Sequence, residues 1–383
     1  MYEYFIIASI FVFSLVLGYF LEKLKIHWLF AALFIGVILN LTGVEVKLLS
    51  ELGKIGMYFM LFLIGMEIDL HKILQLKKAI IKTTLGIQVF SMIAWVSLLL
   101  LLGYSWKVAV IIGIVANCIG EAILVPILEE FRLVRTKFGS LLIGIGTLDD
   151  IFEVTALSIA IIVAAEKATS LTYVDIIAPF LTIAVLTFFT IVLIKYNGLR
   201  DRIGNIREYD YYILLSITIF FIYLAIGSLG GVESVSAFFA GILLNHLLPE
   251  HKARKIEYGI KGFGYGFFGV IFFSWVGISM DIKSIFENPH LTLLFYLIPS
   301  IAKIVNSVIF LRKELNLLTS FLAGIGSSIR FSTELVVAQY LLLHNIITHE
   351  LFTAIVASSV LATIVNTVIL SMALKKLGRK YFL

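Results

Sequence analysis

The sequence predicts an all-α membrane protein, with about thirteen transmembrane helices organised as two inverted repeats. Three observations carry that expectation. The chain is 60% hydrophobic and 14% charged, with a mean hydropathy of +1.05, more apolar than a soluble protein of 383 residues requires. Its Lys and Arg residues alternate in density between successive gaps in the apolar sequence. Short apolar words recur at a nearly constant offset of 205 to 213 residues.

A bilayer core takes about 20 apolar residues per helix. The first run starts near Tyr4; its first basic residues, Lys23 and Lys25, follow the run, so it reads as a spanning helix with its N-terminus outside and not as a cleavable signal. The second starts near Trp28 and carries Ala32–Asn40. The third, from Leu52, ends in Gly65-Met-Glu-Ile-Asp69, and the fourth starts near Ala79. The fifth, from Lys107, is interrupted at Ala116–Glu121. The sixth, from Phe138, holds Asp149 and Asp150. The seventh, from Thr172, joins the halves. The eighth to tenth start near Tyr211, Val235 and Phe263. The eleventh, from Leu291, contains Lys303. The twelfth, from Leu317, is interrupted at Gly324–Glu334, and the thirteenth starts near Leu351.

With that order, 23 of the 30 Lys and Arg fall on the inside and 5 on the outside. The bias places the C-terminus in the cytoplasm of a multi-pass inner-membrane protein. The net charge of +5 is not a nucleic-acid signal, because the basic residues are dispersed in short loops. A single cysteine, Cys118, excludes an internal disulfide. None of the seven histidines has metal-site spacing with a Cys or an acid, so no zinc site and no cofactor is expected. His246 and His251, beside the basic Lys252–Lys261 loop, are read as exposed loop histidines.

The repeats are legible in register. Ala32-Leu-Phe-Ile-Gly36-Val-Ile-Leu-Asn40 matches Ala237-Phe-Phe-Ala-Gly241-Ile-Leu-Leu-Asn245, and Gly65–Asp69 matches Gly277–Asp281. Gly113 and Glu121 match Gly326 and Glu334. Partners stand seven helices apart, an odd number, so the copies cross the membrane in opposite senses. The expected organisation is one transmembrane domain over 1–383. Repeat one covers about 1–167, a linker helix about 168–207 and repeat two about 208–383.

Chemistry concentrates at two places. Broken backbone at membrane depth is tolerated where it lines a cavity or is buried in protein, so matching interruptions in both halves point to a transport site. A carboxylate at mid-membrane costs roughly 2.5–3.5 kcal/mol on insertion scales, so the adjacent Asp149 and Asp150 demand a compensating cation or proton. Lys303 stands alone in the apolar run Leu293–Leu311, too deep to snorkel, and Asp149 is its expected partner. Glu67, Asp69 and Asp281, at helix ends, read as structural anchors.

These segments resemble the cation:proton antiporter superfamily, in the branch of bacterial sodium/proton and Kef-like exchangers. The resemblance lies in Met60–Leu70, Ile123–Phe131 with Gly144–Ile151, Ser236–Asn245, Phe272–Ile282 and the Arg330…Thr333-Glu334 segment. It implies two crossed discontinuous helices, core helices at about 79–167 and 290–375, a homodimer and elevator-like movement of the core. It implies Asp150 as the residue where Na+ or Li+ and H+ compete, and Asp149 paired with Lys303.

Around that centre, Thr147 lies one turn before the aspartates and Asn117 offers a carbonyl oxygen. Asn117-Cys118 departs from the family's small hydroxyl residues. Glu121 and Glu334 are expected to serve the N-termini of half-helices, with Arg330 pairing one of them. The family's Arg-Gly-Glu is here Arg330-Phe-Ser-Thr-Glu334. Glu153 shares the helix face of the aspartates and reads equally as a vestibule acid or a plain polar residue.

The expected activity is electrogenic Na+(Li+)/H+ exchange across a cytoplasmic membrane, serving pH homeostasis. Two aspartates and a lysine can exchange more protons than one Na+ carries charge. The alternative is K+/H+ exchange by an antiporter of the same fold. The remote alternative is an intramembrane aspartyl protease. Its Asp should directly follow Gly-x-Gly, whereas Thr147 and Leu148 intervene here.

Overall fold

The computed structural model describes residues 2–23, 26–43, 46–67, 78–165, 173–196, 203 and 209–382. Every regular element among them is helical. The first stretch gives α1 (Tyr2–Lys23), α2 (Phe30–Leu41), α3 (Lys47–Glu67) and α4 (Lys78–Leu101). Next come α5 (Trp106–Val115), α6 (Glu121–Glu130), α7 (Lys137–Ala165), α8 (Tyr173–Lys195) and α9 (Tyr209–Ser228). Then follow α10 (Glu233–Leu247), α11 (Glu250–Phe263), a π-helical stretch (Gly264–Gly269), α12 (Val270–Ser279) and the short α13 (Ile282–Glu287). The chain closes with α14 (Pro289–Leu311), α15 (Leu317–Ser327), α16 (Ser332–Leu343), α17 (His349–Leu377) and a 3-10 turn (Arg379–Phe382). Asp69, Lys72, Arg200, Arg202, Arg207 and the expected repeat boundaries near 167 and 207 lie outside the described residues.

Local chemistry sets the ends. Ser105, Asn316 and Thr348 accept the backbone N–H three residues on, capping α5, α15 and α17. Gly103 and Gly378, with φ of 86° and 69°, turn the chain after α4 and α17 in the left-handed region that a Cβ disfavours.

By length and composition, eight helices among the described residues can cross a membrane. The α15–α16 pair, bent by 40° at its break, makes a ninth. That is fewer than about thirteen because several expected spans are short or split: α2 has 12 residues, and the broken run yields 10-residue halves α5 and α6. The surface has the inverse of a soluble pattern: Tyr4, Phe5, Leu15, Phe188 and Leu214 are exposed on long helices, as a lipid-facing wall requires.

The chain divides into two compact units. The first comprises Met1–Leu24, Trp28–Leu70 and Ala160–Ser279. Its core is two close helix crossings, α2 on α12 and α3 on α10, made by glycines. A Cβ on Gly36 would stand 2.1 Å from the Ser274 carbonyl oxygen, and one on Gly241 2.1 Å from that of Phe62. A Cβ on Gly277 would stand 2.2 Å from the Leu33 oxygen, and one on Gly65 2.2 Å from that of Phe238. Each contact maps onto its mate by the sequence offsets, 205 residues for α2 to α10 and 212 for α3 to α12. Asn40 Nδ2 donates to the Ile278 carbonyl at 2.5 Å, fastening one end of the α2–α12 crossing.

One expectation fails here. The Lys252–Lys261 segment, read as a loop, lies within α11. It lacks a breaker before Gly259, and Lys261 bonds Glu67 at 2.8 Å and Glu257 at 2.7 Å. Glu67 thereby has the anchoring contact its position suggested.

The second unit comprises Lys25–His27, His71–Ile159 and Met280–Leu383. It contains both interrupted helices and the residues singled out for chemistry, apart from the helix-end anchors Glu67 and Asp69.

Candidate functional site

The second unit is built around two breaks that meet. Ala116–Gly120 separates α5 from α6, and Ser328–Phe331 separates α15 from α16. Gly120 N–H donates to the Ile329 carbonyl at 2.7 Å, so the unwound strands hydrogen-bond each other. A Cβ on Gly120 would press on the Arg330–Phe331 backbone at 3.2 Å. The unwound carbonyls find other partners: Asn366 Nδ2 donates to Ser328 O at 2.9 Å, Thr363 Oγ1 donates to Arg330 O, and Lys303 Nζ donates to Cys118 O at 2.5 Å. Helical backbone can be opened in an apolar medium only with such replacements.

Both acidic residues expected at half-helix N-termini sit there. Glu121 opens α6, and Glu334 lies in the first turn of α16, where the helix dipole favours negative charge. Glu121 accepts from the Thr147 hydroxyl at 3.1 Å and lies against Gly146, where an added Cβ would displace the Glu121 carboxylate. Glu334 is fully buried. It accepts from Arg330 Nη1 at 2.9 Å and from the Ser359 hydroxyl. Arg330 Nη2 donates to the Phe295 carbonyl at 2.8 Å and reaches Ser358 Oγ at 3.4 Å. This network ties α14, α16 and α17 together, while Arg330 Nε is buried with no hydrogen bond to any described residue.

Asp149 and Asp150 lie inside α7, 0% and 3% exposed. The structure adds a residue that the sequence reading passed over: Gln88 on α4 donates from Nε2 to Asp149 Oδ1 at 2.6 Å. Its Oε1 accepts from Asn117 Nδ2 at 3.4 Å, and Asn117 also donates to the Gly113 carbonyl at 2.8 Å. Asn117 Oδ1 is buried with no hydrogen bond from any described residue. Lys303 is completely buried on α14. Its hydrogen bond goes to the Cys118 carbonyl. An ammonium at the C-terminal end of half-helix α5 also answers that helix's dipole. Glu153 lies on α7, but its side chain is outside the described residues.

The arrangement thus gathers a buried acid pair, a buried ammonium, a neutral amide oxygen and opened helix ends. Gln88 was passed over, although Thr84, Gln88 and Ser91 fall at i, i+4 and i+7, a polar stripe at helical spacing. Only its position on the buried Thr84–Gln88–Ser91 stripe marks it.

An all-helical, multi-pass membrane chain with ionisable groups gathered at broken helices at matching places in two halves has the plan of a secondary transporter. Residues 9–376 match the family described as sodium/hydrogen exchanger, transmembrane, and the chain belongs to that family. It is 25% identical to a Na(+)/H(+) antiporter of Enterococcus hirae, over 90% of this chain and 91% of the relative. It is 27% identical to the probable Na(+)/H(+) antiporter 3 of Methanocaldococcus jannaschii, over 99% and 98%. It is 22% identical to the Na(+)/H(+)-K(+) antiporter GerN of Bacillus cereus, over 84% and 82%. Its fold is similar to that of the sodium proton antiporter MjNhaP1 of Methanocaldococcus jannaschii, with a TM-score of 0.61 at 17% identity over 98% of both chains. The protein is therefore a cation/proton antiporter. Membership removes the aspartyl protease reading.

Proposed function

We propose that the protein exchanges Na+ or Li+ for H+ across the cytoplasmic membrane, electrogenically, with Asp150 as the group for which cation and proton compete. The observation that carries this is the buried Asp149–Asp150 pair on α7, in one unit with the opened α5–α6 helix and the Lys303 amine. A dehydrated alkali cation requires hard oxygen ligands with charge, and a carboxylate that accepts either the cation or a proton couples the two fluxes. Asp149 and Lys303 supply the further charge that makes the exchange electrogenic. Asn117, in the α5–α6 break, and Thr147, one turn before the aspartates, supply neutral oxygens, and Glu121, Glu334 and Arg330 hold the half-helices.

Thirteen crossings follow when α2, the α5–α6 pair, α7, α10 and the α15–α16 pair are each counted as one span. The mirrored glycine contacts support the inverted repeat. The charge bias supports an outside N-terminus and a cytoplasmic C-terminus. Movement is of the elevator type, carried by the core helices of about 79–167 and 290–375, in a homodimer embedded in lipid. K+/H+ exchange is the second reading, favoured by the likeness to the B. cereus Na(+)/H(+)-K(+) antiporter.

Proton flux in vesicles reconstituted with the full chain decides among these, with Na+, Li+ and K+ compared at clamped and unclamped potential. Asp150→Asn should abolish exchange in folded protein, and flux near wild type in that variant would sink the assignment. Lys303→Gln should abolish exchange or make it electroneutral. Wild-type transport indifferent to an imposed potential would refute electrogenicity while leaving antiport intact. Cysteines introduced at Lys78 and Lys255 should be labelled from the cytoplasmic side only; labelling from the other side would overturn the orientation.

A further inference from the structure

α4 buries a polar stripe that the exchange chemistry above does not use. Thr84, Gln88 and Ser91, four and three residues apart, share one buried face with Ile87 and Trp95. An amide inside a membrane segment is costly unless both of its ends are hydrogen-bonded. Gln88 has both engaged, and with different elements: Asp149 on α7 at 2.6 Å and Asn117 in the α5–α6 break at 3.4 Å. The first bond is short, as expected for an N–H donated to a carboxylate.

The consequence for Asn117 is directional. Its Nδ2 serves two acceptors, Gln88 Oε1 and the Gly113 carbonyl. Rotating the amide by half a turn would set oxygen against oxygen at both. The side chain is therefore held in one sense, and Oδ1 is the atom left over, buried and accepting from no described residue. A neutral, hard, unsatisfied oxygen at a helix break is what an alkali cation losing its water takes as a ligand. Gln88 holds that oxygen in place and pins one oxygen of Asp149 with its other end.

We infer that Gln88 is a positioning residue of the cation site, one that sets the alkali-cation affinity and selectivity by orienting the Asn117 side-chain oxygen and the Asp149 carboxylate together. The inference rests on the cation/proton reading of the site. Gln88 itself contributes no charge and takes no proton. Its effect passes through two other side chains, so it should appear in substrate affinity and in the ranking of cations, not chiefly in turnover.

The test uses the full chain in vesicles, with proton flux measured against Na+, Li+ and K+ concentration. Gln88→Met keeps the length and loses both hydrogen bonds. It should raise the KM for Na+ by about tenfold, change the Na+:Li+ preference, and leave Vmax within about threefold of wild type. Asn117→Ala should raise the KM similarly. Adding Gln88→Met to Asn117→Ala should raise it by less than about threefold more, because the two act as one arrangement. Stabilisation of the detergent-solubilised protein against heat by LiCl gives binding without transport, and should weaken in parallel. If Gln88→Met does not fold, Gln88→Leu, which also loses both hydrogen bonds and adds no charge, carries the same measurements. Unchanged KM and cation ranking, with loss only of Vmax or thermal stability, would overturn the inference and leave the antiporter reading standing. Wild type that shows neither cation-driven flux nor LiCl stabilisation would instead overturn the cation reading, and this inference with it.

Discussion

The buried pair Arg330–Glu334 makes a quantitative prediction about what holds the opened α15–α16 helix. The side chains are 1% and 0% exposed and meet at 2.9 Å. Glu334→Gln preserves shape and one acceptor oxygen but removes the charge opposite the guanidinium, leaving a buried cation faced by neutral oxygens, those of the new amide, the Phe295 carbonyl and Ser358. Removing one partner of a buried pair costs about 3–5 kcal/mol, because the survivor is an uncompensated charge in a low dielectric. Arg330→Met strands Glu334 with the Ser359 hydroxyl and should cost about as much. Arg330→Met combined with Glu334→Leu removes both charges, and should be less destabilising than the two single losses added, by about 2 kcal/mol or more. The assay is unfolding of the purified protein in detergent followed by tryptophan fluorescence, with Na+ KM measured on folded material. Because these groups act on backbone ends, KM should move less than about threefold in folded single variants. Single variants as stable as wild type, or strictly additive losses, would refute the argument that the pair secures the break. A tenfold rise in Na+ KM without loss of stability would move Glu334 to the ion itself.

Two further outcomes follow from the same structure. Gly36→Ala and Gly241→Ala should each destabilise by about 1–3 kcal/mol, and by similar amounts, because both new Cβ atoms meet a backbone oxygen at 2.1 Å. Gly262→Ala, with nothing within 4 Å, should be neutral or stabilising, and unequal losses at the paired glycines in thermal unfolding would contradict the mirrored packing. His27, between α1 and α2 with its ring against Phe331, has its pKa lowered by burial from 6.5 to about 4. Its neutral form is the one the fold accommodates. The stabilisation is therefore complete above pH 6.5 and is lost as pH falls from there toward 4. His27→Phe should flatten the melting temperature across that window, and an unchanged slope would show that another group titrates there.

Much of this protein is written locally in its sequence. Apolar length and gaps of basic residues define a multi-pass helical chain, because insertion in a bilayer depends on each segment's own composition. The breaks at Asn117 and Arg330 were visible because Gly, Ser and Asn weaken helices wherever they stand. The glycines at 36, 65, 241 and 277 announced themselves by recurrence, and Asp149 with Asp150 by the cost of an acid at depth. What the sequence left open was partnership. It paired Lys303 with Asp149 through the family resemblance and a buried ammonium's need of a carboxylate, and named neither the Cys118 carbonyl nor Gln88. In the fold the lysine donates to the Cys118 carbonyl, and the hydrogen bond to Asp149 Oδ1 comes from Gln88. It matched Arg330 to a nearby acid but gave no hint of Phe295, Ser359 or Thr363, which complete that network from other helices. It read Lys252–Lys261 as a loop because charge suggests solvent, whereas Glu67, far away in the chain, draws Lys261 into a helix. Composition and periodicity are properties of a segment, and a chain displays them unfolded. A buried hydrogen bond depends on which distant segments are brought within about 3 Å, and in a medium without water that choice decides which polar group survives.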